Sequence, residues 1–417
     1  MKISSLKTLW KTACICLAVS ALLQPDPAQA AEKEKKPPVT QYWMSVSTQN
    51  QTIPGMPDMG GMFGRPGGPG SGPGRSLLLQ LSSPQALPPD PMATHDIPPG
   101  QLMGKTLPLL VPSGDKSRPE RYEKGAEEQM EKPRMRMLIY WGCGEAVGKG
   151  QPRVIDTAKM GPAEFGKALA SHSISPQYPP APRSGWVYAD WPNKKSSPEI
   201  PRDSSLVGEQ FVHGNYMPDI RFTIPPKHDF MAPVEFTSVK GGLSESIQFQ
   251  WKPVPTAIGY FASAMAHNDK AGETIIWSSS EVPDTGFSLM DYVPSGDVRR
   301  LIREKVIMSP EVKSCRVPKG IFRDTEGSMM QFIAYGEDMH AGYPPKPRDL
   351  IWSVKVRLKS TGMLMLGMSG EQEEQPRKKS RRSGDTEEER SSGPGQKDED
   401  QGESKSPVNS IRGIFGF

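Results

Sequence analysis

Residues 246–260 read SIQFQWKPVPTAIGY, and the fold turns on how they are read. Ile247, Phe249 and Trp251 alternate with Gln248 and Gln250. This is the period of two that puts one face of a strand in a core and the other in water. Pro253 and Pro255 then stop the strand, because proline brings no N–H to a ladder. AIGYFASAMA (257–266) and TIIWSSSEVP (274–283) follow with strand composition, and SMMQFIAYGED (328–338) and DLIWSVKVRLKS (349–360) complete the set. In the last of these, Trp352, Val354, Val356 and Leu358 share one face, with Ser353, Lys355 and Arg357 on the other. SGDVRRLIREKVIMSP (295–310) interrupts the strands with Val298, Leu301, Ile302 and Val306 at helical spacing, and Ser295 or Asp297 as its N-cap. Many short alternating strands predict a mainly β fold, a sandwich rather than a parallel sheet.

A resemblance rests on these residues. WKPVPTAIGY (251–260) resembles the passage from second to third strand of fibronectin type III and related immunoglobulin-like sandwiches. There a tryptophan precedes a proline-containing turn, and Ala-x-Gly-Tyr enters the next strand. FIAYGED followed by WSVKV is similar to the last hairpin of that fold. The likeness spans residues 236–360 and departs from the pattern at 285–327, where a helix and Cys315 replace a short connection. It implies scaffolding, adhesion or positioning and no defined chemistry.

Upstream, KTLPLLVP (105–112), RMRMLIYWGCG (134–144), QPRVIDTA (151–158), EQFVHG (209–214) and DIRFTIPP (219–226) read as strands, and MGPAEFGKALAS (160–171) as a short helix. QYWMSVSTQN (41–50) and SLLLQLS (76–82) read as a hairpin around a long Met/Gly/Pro-rich loop, while 84–104 and most of 173–202 read as loop. The expected organisation is a signal peptide (1–30), the strand pair with its disordered loop (31–104), one β-rich domain (105–235), a fibronectin-III-like domain (236–366) and a disordered charged tail (367–417). The tail alternates acidic and basic groups with almost nothing to bury.

The N-terminus predicts the compartment. Lys2, Lys7 and Lys11 precede the apolar run ACICLAVSALL (13–23), and Ala28-Gln29-Ala30 offers a cleavage site before Ala31. That is the anatomy of a secretory signal, and the run is too short to span a bilayer. A periplasmic or secreted chain without a later membrane-crossing segment is expected. Lys+Arg 51 against Asp+Glu 47 leaves a net charge of +4, no footprint for nucleic acid.

Two cysteines remain after cleavage, Cys143 and Cys315. In an oxidising compartment they are candidates for a disulfide, and equally for two separately buried thiols. Met56, Met59 and Met62 in the Gly-rich loop present soft thioether ligands for Cu(I), with Met92 and His95 in the next loop. A flexible loop rich in methionine accounts for the same string more simply. Val408, Ile411, Ile414, Phe415 and Phe417 end the tail as an apolar peptide, suited to an envelope partner or to docking on this chain's own domains. The six histidines follow no nucleophile elbow, zinc spacing or phosphate loop. The reading is therefore a non-enzymatic envelope binding or scaffolding module, with a periplasmic Cu(I)-binding protein second and a hydrolase of unknown class third.

Overall fold

Alternation becomes structure along Trp352–Leu366, where every second residue from Trp352 to Leu366 is buried. The computed structural model describes residues 38–51, 74–112, 135–169, 172–345 and 349–367. The signal segment, Met56, Met59 and Met62, and the C-terminal peptide lie outside the described residues.

The described chain is mainly β. In order it forms β1 (Thr40–Gln51), β2 (Gly74–Ser83), β3 (Ala93–Asp96), β4 (Thr106–Leu109), β5 (Arg136–Trp141), β6 (Arg153–Asp156), the short helix α1 (Pro162–Ala168), β7 (Val187–Trp191), β8 (Gly208–Gly214) and β9 (Ile220–Ile224). There follow β10 (Phe236–Lys240), β11 (Ile247–Trp251), β12 (Ala257–Asn268), β13 (Glu273–Ser278), α2 (Ser295–Arg303), β14 (Ser314–Val317), β15 (Ser328–Gly336), β16 (Met339–Tyr343) and β17 (Trp352–Leu366).

Ten strands make one sheet in the order β6-β5-β13-β12-β15-β17-β1-β2-β7, with β16 also paired to β17. Two smaller sheets, β10-β11-β14 and β4-β3-β8-β9, complete the set. β1 and β2 form the expected antiparallel hairpin, and β15 and β16 both run antiparallel to β17. Tyr42 pairs with Val354 and Phe332 with Gly362, both even positions of β17, so the two smaller sheets pack on the same face of the large one. Phe249 and Trp251 meet Phe332 on one half, while His95 and Phe222 meet Tyr42 on the other. The opposite face of the large sheet is covered beside β12 and β15 by α2 and residues 289–293, through Phe261, Leu289, Val298, Leu301 and Tyr335.

Three expectations are corrected. The boundaries at 104/105 and 235/236 run through the large sheet: β2 pairs with β7, β1 lies parallel to β17, and β5 lies parallel to β13. The described residues thus fall within one compact unit, and the sequence could not show this because strand partners are set by long-range pairing that a local period cannot reveal. Second, the expected loops at 84–104 and 173–202 contain β3 and β7, each too short to show a clear alternation. Third, the N-cap of α2 is Pro294, with Ser295 and Asp297 inside the first turn.

At Gly362, β17 lies close against Val234 and the start of β10. A Cβ there would stand 2.9 Å from Val234 Cγ1 and 3.2 Å from a ring carbon of Phe236. Gly362→Val should therefore destabilise the chain by about 1–3 kcal/mol through overpacking, read as a shifted denaturant midpoint. An unchanged midpoint would mean that the two segments do not meet so tightly.

Candidate functional site

The outer face of β17 presents Lys355, Arg357 and Lys359 at alternate positions, where strand geometry points all three side chains the same way. Each is held differently. Lys355 Nζ donates to Gln177 Oε1 at 2.7 Å and lies 3.5 Å from Asp338 Oδ2. Lys359 Nζ donates to Asp291 Oδ1 at 2.6 Å. Arg357 Nε donates to Ser45 Oγ at 2.8 Å, and its guanidinium lies 4.3 Å from the Tyr292 ring centre and 5.3 Å from that of Trp43. Lys355 and Lys359 also stand over Trp43 and Tyr292 respectively, at 4.9 and 4.4 Å. The result is a layer of cations and aromatic rings across β17 and β1.

Neighbouring segments bring the rest of the layer into place. Asp338 sits in the two-residue gap between β15 and β16. It is tied to the start of α2 by Ser295 N to Asp338 Oδ2 (3.3 Å) and Asp338 N to Ser295 Oγ (2.6 Å). Gln177 belongs to the proline-rich segment 172–183, which crosses the face. Its Nε2 donates to Tyr292 O at 2.8 Å, and Gln80 Nε2 donates to Pro180 O at 3.1 Å. At its start, His172 N and Nδ1 both lie 2.8 Å from one oxygen of the buried Asp284, whose other oxygen accepts Gly286 N at 2.7 Å. That carboxylate is spent on fastening loops together, which is a structural task.

Electrostatics follow from this packing. Burial lowers the Arg357 guanidinium from its ordinary value, opposed by Tyr292, Asp291 and Asp338. Burial also pushes the Tyr292 phenol well up. Asp291 titrates below its ordinary value: burial works against that, and the Lys359 ammonium, the Tyr292 N–H and the Arg357 charge together outweigh it.

Cys143 and Cys315 are joined as a disulfide with Cα atoms 5.1 Å apart. The bond staples residues 143–145 along β14, where Gly144 N donates to Arg316 O and Lys319 N to Glu145 O, both at 2.9 Å. Beside it lies an open cavity of about 350 Å³ lined by Glu145, Lys240, Glu245, Gln248, Arg316 and Lys319. Arg316 spans it by donating to Glu145 Oε2 and Gln248 Oε1 at 3.3 and 3.2 Å. Gly241 closes the turn between β10 and β11 with φ +101, where a Cβ would strike Ser246 O at 2.2 Å.

His95, expected in a loop, is the middle of β3 and fully buried. Tyr42 Oη lies 2.9 Å from its Nδ1, and its Nε2 faces Gln210 without a well-formed hydrogen bond. Burial depresses its pKa to about 4. Among the described residues no group of three His, Cys, Asp or Glu side chains is placed to hold a metal ion. The copper string and the terminal apolar peptide fall outside them.

The alternation of β17 was legible, and with it the shared face of Lys355 and Arg357. Their partners Trp43, Gln177, Asp291, Tyr292 and Asp338 come from four distant segments and carry no local signal. No protein family matches the chain, and no curated protein is similar to it in sequence.

Proposed function

We propose that the chain is an exported, non-enzymatic binding or scaffolding module of the cell envelope, working in the periplasm or outside the cell. The observation that carries this reading is the strand arrangement of 236–366. The first, second and fifth strands there (β10, β11, β14) form one sheet, and the third, fourth, sixth, seventh and eighth (β12, β13, β15, β16, β17) lie together in the other. That division supports the fibronectin-III-like reading. The signal-like N-terminus and the Cys143–Cys315 bond both suit an oxidising compartment.

Both outer strands of that half-sandwich are already paired within the chain, β17 by β1 and β13 by β5. Partners are then met through side-chain surfaces or through the apolar peptide Val408–Phe417 rather than by strand addition at those edges. Crosslinking in intact cells tests this. The chain should be captured joined to an envelope protein, and deleting 407–417 should reduce that product while leaving the melting temperature nearly unchanged. A chain recovered only uncrosslinked, or a loss of several degrees on deletion, would contradict the recruitment role of the peptide.

A further inference from the structure

We infer that the outer face of β17 binds a phosphate-type oxyanion, centred on the Arg357 guanidinium between Lys355 and Lys359. Charge count comes first. Three cations at alternate positions of one strand repel one another. The outer two each have a carboxylate, Asp338 at 3.5 Å and Asp291 at 2.6 Å. Arg357 makes no ion pair among the described residues, and its hydrogen bond uses Nε alone, on Ser45. Its two terminal nitrogens, four N–H donors, are thus uncommitted.

Geometry then selects the ligand. Tyr292 and Trp43 flank the guanidinium at 4.3 and 5.3 Å, fixing a planar fork that fits two oxygens of one anion. Lys355 and Lys359 stand at the alternate positions on either side, and with two carboxylates against three cations the face keeps one positive charge in excess. A half-buried cation with no ion pair of its own is costly, and burial lowers the Arg357 pKa even with Tyr292, Asp291 and Asp338 acting against it. An anion relieves both. The inference goes beyond the envelope reading, and binding by the purified chain is decided without it.

The test is calorimetric titration of the full chain with inorganic phosphate at constant ionic strength, repeated with glycerol phosphate. One saturable site per chain is expected. Arg357→Gln should weaken it by about tenfold or more, the loss of at least one charge-assisted hydrogen bond. Arg357→Lys should also weaken it, since a point charge replaces the fork; this variant decides the matter if the glutamine variant does not fold. Lys240→Gln, in the cavity beside the disulfide, should leave binding unchanged. Equal binding of both ligands would assign recognition to a phosphate monoester, and binding of inorganic phosphate alone would assign it to the free ion. Absence of saturable binding of either, full affinity in Arg357→Lys, or an equal loss in Lys240→Gln would overturn the proposal.

Discussion

Replacing Cys143 and Cys315 together by alanine is expected to cost the fold about 5 kcal/mol. The bond joins residues 172 apart in sequence, and closing a loop of that length removes about that much chain entropy from the unfolded state. The staple also holds residues 143–145 against β14, whose four residues form a short edge to the smaller sheet. Chemical denaturation of wild type and double variant, with and without reductant, reads the effect. Wild type under reductant should approach the variant, and the variant itself should not respond to reductant. Coincident curves for wild type and variant would show that the two cysteines do not bridge. Labelling of the denatured, unreduced chain gives the same answer by count, with no free thiol expected at either position.

Acid should weaken the fold through His95. Its pKa lies near 4 in the folded chain because burial in the sandwich interior disfavours the imidazolium, against about 6.5 when unfolded. The unfolded chain therefore binds the proton first. Stability is fully present above pH 6.5 and is lost progressively as pH falls towards 4, by about 3 kcal/mol in all at about 1.4 kcal/mol per pH unit. His228 and His340, both lowered chiefly by burial, act in the same direction. His95→Gln keeps a polar partner for the Tyr42 hydroxyl and removes the titration. Its stability should be lower than wild type at neutral pH and should fall less steeply on acidification. If the variant and wild type show the same slope between pH 6.5 and 4.5, His95 is not the group that responds.

These results bear on what a sequence can disclose. DLIWSVKVRLKS announces its two faces because β17 is long enough to repeat the period several times, one face buried and one half-exposed. ATHD at 93–96 does not, since four residues between Met92 and Ile97-Pro98 look like loop, and His95 is buried against Tyr42 and Phe222, which are remote in sequence. The strand–turn–strand passage from Ile247 to Tyr260 was legible because a turn and its flanking strands are local. The parallel neighbours β1 and β5 were not, as their registers join residues 312 and 137 apart, such as Thr40 to Trp352 and Arg136 to Glu273. For the same reason the layer around Arg357 was half visible. The strand supplies its own cations, but Tyr292, Trp43 and the two carboxylates arrive from elsewhere in the chain.

The proposed export and envelope role meets its most direct test in the mass of the chain isolated from its own cells without reductant. The expected result is an envelope or external fraction holding a chain that begins at Ala31, with Cys143 and Cys315 joined. A chain that keeps its first 30 residues, carries two free thiols and stays in the cytosol would contradict it.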